Sequence, residues 1–184
     1  MGRRRIVSDA GVLEAALAVL AEGGRERFTL SRVAAAAGVA APTLVQRFAT
    51  KTGLLIAAMA YANGWLRAWL EAQSQGDIPT LLGDLAEGFG GPHRFGGHLA
   101  FLREDLTDPA LAQLAAERMA AVRAAIGERL DPRPGAHPAD RAAAVDLIEA
   151  HWHGAVLQWA IRAQGRLSTH VERSLRELMR RARV

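Results

Sequence analysis

The sequence predicts an all-α protein. Apolar residues recur at i, i+3, i+4 and i+7 along most of the chain, glycine and proline fall at helix-length intervals, and no window alternates apolar and polar residues as a strand would. With 184 residues, half of them hydrophobic, the chain can bury a core as one domain or as a small domain joined to a larger one.

The first helix is set by Leu13, Ala16, Leu17 and Leu20 and stops at Gly23-Gly24. Thr29 is a suitable N-cap for a short helix over roughly 30–37. Gly38 can take the positive φ of a sharp helix-to-helix turn, with Val39 plugging the corner, and Pro42 suits the first turn of a third helix over 41–48. Leu44 and Phe48, four apart, face inward together, and Thr50 caps a fourth helix. The alanines from Ala34 to Ala37 let two short helices approach closely. Beyond residue 54, Gly64, Gly76, the run 88–98, Asp108-Pro109, the run 131–138 and Gly165 leave helices at roughly 51–75, 79–88, 94–105, 109–130, 138–164 and 169–182. Asp108 before Pro109, and Thr169 with Glu172 as a capping box, mark two of those starts.

Charge divides the chain. Residues 1–52 hold eight basic groups against four acidic ones, whereas the rest holds fifteen of each, so the whole net charge of +4 lies in the first segment. A basic end on a neutral body is the pattern of a polyanion-binding module on a separate platform. Arg3, Arg4 and Arg5 fit that reading and fit a solubilising tail equally well.

The third helix has the chemistry to use that charge. With Leu44 and Phe48 buried, its opposite face presents Pro42, Thr43, Val45, Gln46 and Arg47. A helix fits the DNA major groove, where Gln pairs bidentately with adenine, Arg with guanine or a phosphate, and apolar groups meet a thymine methyl. Thr29 and Lys51, near flanking helix starts, suit phosphate contacts that fix orientation.

From Val12 to Leu55 the elements "VLEAALAVLAEGG", "FTLSRVAAAAGVAAPTLVQRF" and "TKTGLL" resemble, without a gap, the N-terminal domain of TetR-type transcriptional regulators. The resemblance implies a three-helix helix-turn-helix DNA-binding head over 1–52 and a helical ligand-binding and dimerisation body over 53–184. It also implies release from an operator when ligand binds. Four positions depart from the family pattern, Leu20 and Arg25 among them, where the residue is often aromatic. Ala40 stands where serine is usual, and Val45 where an aromatic, commonly a tyrosine touching a backbone phosphate, is usual. DNA affinity is therefore expected to lean on Arg47, Lys51 and the N-terminal arginines.

In the body, Tyr61, Trp65 and Trp69 recur at four-residue spacing, and Trp152, Val156 and Trp159 follow helix periodicity. Core packing accounts for such residues. So does a ligand cavity lined by Trp65, Trp69, His98, Phe101, Arg103, Trp152 and Val156, with His151 as a further polar group. Segment 138–164 is apolar on more than one side, so it is expected to face both its own core and a second surface. Trp159, with Val171, Leu175, Leu178 and Met179 of the last helix, is the expected dimer interface. Two such helices meeting their copies would form a four-helix bundle, and paired heads can read an inverted-repeat double-stranded operator.

Other classes find little support. The run 88–98 is glycine-rich but lacks a preceding strand and a Gly-Lys-Ser/Thr, so it is not a phosphate loop. No cysteine is present, His151 and His153 splay to different faces, and no Ser-His-Asp motif appears, so no metal, no cofactor and no enzymatic activity are expected. The N-terminus imitates a secretion signal, but Asp9 and Glu14 interrupt its apolar run, and no window is long and apolar enough to cross a membrane. A cytoplasmic protein is expected, without a membrane partner. The expectation is thus a ligand-responsive DNA-binding regulator, most simply a homodimeric repressor released by a small apolar or aromatic effector. The alternative is a helical ligand-binding or scaffold protein whose head mediates protein contacts.

Overall fold

The computed structural model describes residues 7–73, 76–88, 105–106, 108–130, 138–162 and 164–182, which form eight helices and, among the described residues, no strand. They divide into two compact units. One is Met1–Arg67 with Gly96–Glu117, the other Ala68–Phe95 with Arg118–Val184.

The first unit is built on α1 (Asp9–Arg27), α2 (Leu30–Ala37) and α3 (Ala41–Phe48). Ser8 caps α1 by accepting the Gly11 N–H at 3.2 Å. At the glycine pair the backbone leaves helical geometry as expected, Gly23 at φ −160° and Gly24 at φ 61°, and a separate short helical turn follows to Arg27. That turn brings Phe28, fully buried, into the core with its N–H on the Gly24 carbonyl. Thr29 accepts the Arg32 N–H at 3.2 Å, and Gly38 at φ 68° returns its N–H to the last turn of α2, so both ends of that helix are satisfied locally. Ala40 offers α3 no side-chain cap, but Pro42 in the first turn needs none. Phe28, Val33, Leu44, Leu54 and Leu55 form the core, joined by Leu111.

Two longer helices supply residues to both units: α4 (Lys51–Ala72), capped by the Thr50 hydroxyl on the Gly53 N–H at 2.9 Å, and α6 (Pro109–Arg129), capped by Asp108 on the Ala110 N–H at 2.9 Å. The boundary expected after residue 52 falls in the first turn of α4, which runs on through Gly53 and Gly64 to Ala72.

The second unit contains α5 (Ile78–Glu87), α7 (Pro138–Arg162) and α8 (Leu167–Ala182). Helices α5 and α8 pack closely at Gly83, where an added Cβ would meet Glu172 Cγ at 2.8 Å and the Ser168 carbonyl at 3.2 Å. Trp152 donates its indole N–H to the Leu82 carbonyl at 3.1 Å, which lets a large polar-edged ring be buried. The start of α8 differs from the capping box expected at Thr169. The helix begins at Leu167, and the Glu87 carboxylate accepts from both the amide and the hydroxyl of Ser168, so a cap from another helix replaces the local one. The helix expected at 94–105 lies, except for Asp105, outside the described residues.

Candidate nucleic-acid interface

The turn at Gly38 sets α3 across α2 with Leu44 fully buried and Phe48 packed against the same core. This anchors one side of α3 and leaves the other to solvent. Pro42 and Gln46 are exposed, Val45 is 46 % exposed, and Thr43 is half-buried.

The remaining expected DNA contacts are already engaged. Arg47 turns back toward α1. Its guanidinium donates to the Val7 carbonyl at 2.9 Å and to Asp9 Oδ1 at 3.2 Å and is only one-quarter exposed. Lys51 donates to the Arg25 carbonyl at 3.3 Å, tying the start of α4 to the end of α1. The Thr29 hydroxyl serves as the α2 cap and lies 3.1 Å from the Ser31 hydroxyl. Arg32, exposed on the first turn of α2, is a further cation that the sequence pattern did not single out.

In the body, the residues expected to line a cavity occupy different surroundings. Trp65, on the first unit's part of α4, is 61 % exposed, and Trp69 is half-buried. Trp152 and Val156 are buried in the second unit's core. His98, Phe101 and Arg103 lie outside the described residues. His151 bonds Ser174 at 2.8 Å across α7 and α8 and lines an open groove of about 960 Å³ between them, with Arg162, His170, Arg173 and Arg180. Burial, then Arg173 and Arg162, hold His170 below its ordinary pKa and so favour the neutral ring.

Of the expected dimer residues, Trp159, Val171 and Leu175 fill the second unit's own core, since α7 and α8 bury those faces against their neighbours in the same chain. They have almost no surface left for a second copy. Leu178 and Met179 are half-buried. On α7 the open large apolar positions are Leu147, Leu157 and Ile161, the last 77 % exposed, on one side of the helix with exposed Ala150 and with Gly154, beside which a Cβ would meet nothing. These belong to the second apolar side expected of this helix.

Glu149 is among the buried polar groups that the sequence pattern did not single out. Glu149 sits on the core side of α7, 6 % exposed, paired with Arg123 at 2.8 Å while its second carboxylate oxygen has no hydrogen-bond partner. Its neighbours in sequence gave no sign, because a lone glutamate in an amphipathic helix normally faces water.

A polar, solvent-facing helix held by a glycine turn on a small three-helix core defines a helix-turn-helix protein. Residues 12–58 match the family described as bacterial regulatory proteins, tetR family. A comparison with curated proteins finds no match. Among solved structures, a transcriptional regulator from Rhodococcus sp. Rha1 is similar at 20 % identity and TM-score 0.72, over 94 % of this chain and 96 % of that one. FadR from Bacillus subtilis, solved with stearoyl-CoA, is similar at 18 % identity and TM-score 0.69, over 92 % and 96 %. A TetR family member from Streptomyces coelicolor A3 is similar at 23 % identity and TM-score 0.66, over 91 % and 95 %. The fold is thus shared with these solved structures over nearly the whole chain.

Proposed function

We propose that this protein is a homodimeric, ligand-responsive DNA-binding transcriptional regulator. It acts in the cytoplasm as a repressor that a small apolar or aromatic effector releases from an inverted-repeat operator, and it carries out no catalytic step. The observation that carries this is the outward face of α3: Gln46 and Val45 stand in solvent while Leu44 locks the same helix to the core. In this reading Gln46 reads an adenine edge, and Thr43, Val45 and Pro42 pack on bases or thymine methyls. Lys51, with N–H groups beyond the one on Arg25, and Thr29, at the positive end of α2, hold phosphates.

Dimerisation uses the open side of α7 at Leu147, Gly154, Leu157 and Ile161, together with Leu178 and Met179 of α8. The effector reading draws support from FadR, solved with stearoyl-CoA, and from the multidrug binding protein EbrR, solved with proflavin and with ethidium, all of similar fold. The test is mobility of duplexes selected from a randomised library, at rising salt and with candidate effectors. Salt-sensitive, sequence-dependent binding is expected. An effector that releases DNA must itself bind more weakly when DNA is present. A helical scaffold protein would shift no duplex.

A further inference from the structure

We infer that Glu149 anchors a cationic effector: an aromatic molecule whose ammonium or amidinium N–H group meets the carboxylate oxygen that the chain leaves unpaired. The inference rests on the effector reading above and narrows it to a chemical class. The site lies wholly within the second unit, on the stripe of α7 that Glu149 shares with Trp152 and Val156, three and seven residues further on. Those two residues are among the ones expected to line a cavity, and both are buried.

The Glu149 side chain is 8 % exposed, and its Oε2 accepts from Arg123 Nη1 at 2.8 Å, while Oε1 is buried with no partner. Neighbouring donors are committed elsewhere. Arg123 turns Nη2 to Asp146 Oδ1 at 2.5 Å, the Trp152 indole N–H goes to the Leu82 carbonyl, and His153 Nδ1 donates to the Glu149 backbone carbonyl at 3.0 Å. Two carboxylates on one guanidinium also leave one negative charge in surplus. A carboxylate oxygen buried without a donor is destabilising, and an N–H bond from a cation relieves this more than a neutral donor does. A cation answers both the orphan oxygen and the surplus charge. An alcohol answers only the first, and an anion neither. Trp152 and Val156, on the same stripe, suit the apolar part of such a molecule. Arg123 gives the way in, because its side chain is 37 % exposed and Asp146 61 %, so the guanidinium can keep Asp146 and lean toward solvent as the cation enters beneath it.

The test is calorimetric titration of the DNA-free full chain with three probes of one shape: naphthylmethylammonium, the neutral naphthylmethanol and the anionic naphthoate. The wild type is expected to bind the ammonium about tenfold more tightly than the alcohol, and naphthoate more weakly than either. Glu149→Gln should erase the preference for the ammonium, and Asp146→Asn, which removes the exposed acid, should keep it. Should Glu149→Gln fail to show a cooperative melting transition, Glu149→Asp carries the test: drawing the charge back by one methylene should weaken the ammonium severalfold and leave the alcohol unchanged. Equal binding of ammonium and alcohol means that the oxygen holds only a water, and overturns the inference. So does a preference that survives Glu149→Gln, an ammonium affinity untouched by Glu149→Asp, a preference lost in Asp146→Asn, or a wild type that binds none of the probes. A wild type that shows the expected preference yet shifts no duplex upholds the cation site and removes the regulator reading, so the two failures are distinct.

Discussion

Ala49 carries the sharpest local strain in the head. Its φ of 61° and ψ of −53°, with the Thr50 N–H on the Phe48 carbonyl, make a tight three-residue turn in a region that glycine tolerates better than alanine. Ala49→Gly should raise stability by roughly 0.5–1 kcal/mol, read by denaturant unfolding, because relief of strain exceeds the entropy that glycine adds to the unfolded chain. On the recognition helix, Gln46→Ala should alter base preference at a cost of about 1–3 kcal/mol. Lys51→Ala should weaken all sequences evenly and lower the salt slope by about one, in anisotropy titrations against a panel of duplexes. The direction of Gln46 was readable from its spacing relative to Leu44 and Phe48. That of Arg47 was not, because its partners Val7 and Asp9 lie about forty residues away and a helical face says nothing of what a long side chain can reach.

Helices α5 and α8 are held by carboxylates that favour ionisation. Burial raises the pKa of Asp77, but bonds from Arg176, the Thr80 hydroxyl and the Thr80 amide outweigh it, so the net shift is down. The Ser168 hydroxyl, against some desolvation, lowers Glu87, and Arg180 and Arg181 bring Glu177 to about 2. Acids with depressed folded pKa values add stability that is complete above their unfolded values and is lost as pH falls through the folded ones. Melting temperature should therefore hold near neutrality and fall from about pH 4.5 toward pH 2. Asp77→Asn should flatten that acid limb, and Asp77→Ala should cost about 1 kcal/mol through loss of the α5 cap. Caps made within a helix's own first turn, at Thr29, Thr50 and Asp108, were legible in the sequence because donor and acceptor lie within three residues. The start of α8 was not, since its cap is Glu87, eighty-one residues upstream of Ser168.

For the assembled protein, the all-α class and the short helix α3 followed from periodicity and from the run around Gly38. The sorting of body residues into core, cavity and dimer surface did not. Trp159, Val171 and Leu175 have the same apolar pattern whether they meet a second copy or their own chain, and only their burial decides. If α7 joins two copies, Ile161→Asp should yield monomers in sedimentation with helical content unchanged, and should weaken operator binding because two heads no longer act together. The effector need supply only about 1–3 kcal/mol of coupling to change DNA affinity roughly 5- to 150-fold. All of this depends on α3 lying against base edges. The most direct test is selection of duplexes from a randomised library by the purified chain at modest ionic strength, repeated with Gln46→Ala. The expected result is an inverted repeat enriched by the wild type and altered by the substitution. Enrichment of no sequence over random competitor, with the helices intact, would contradict the account.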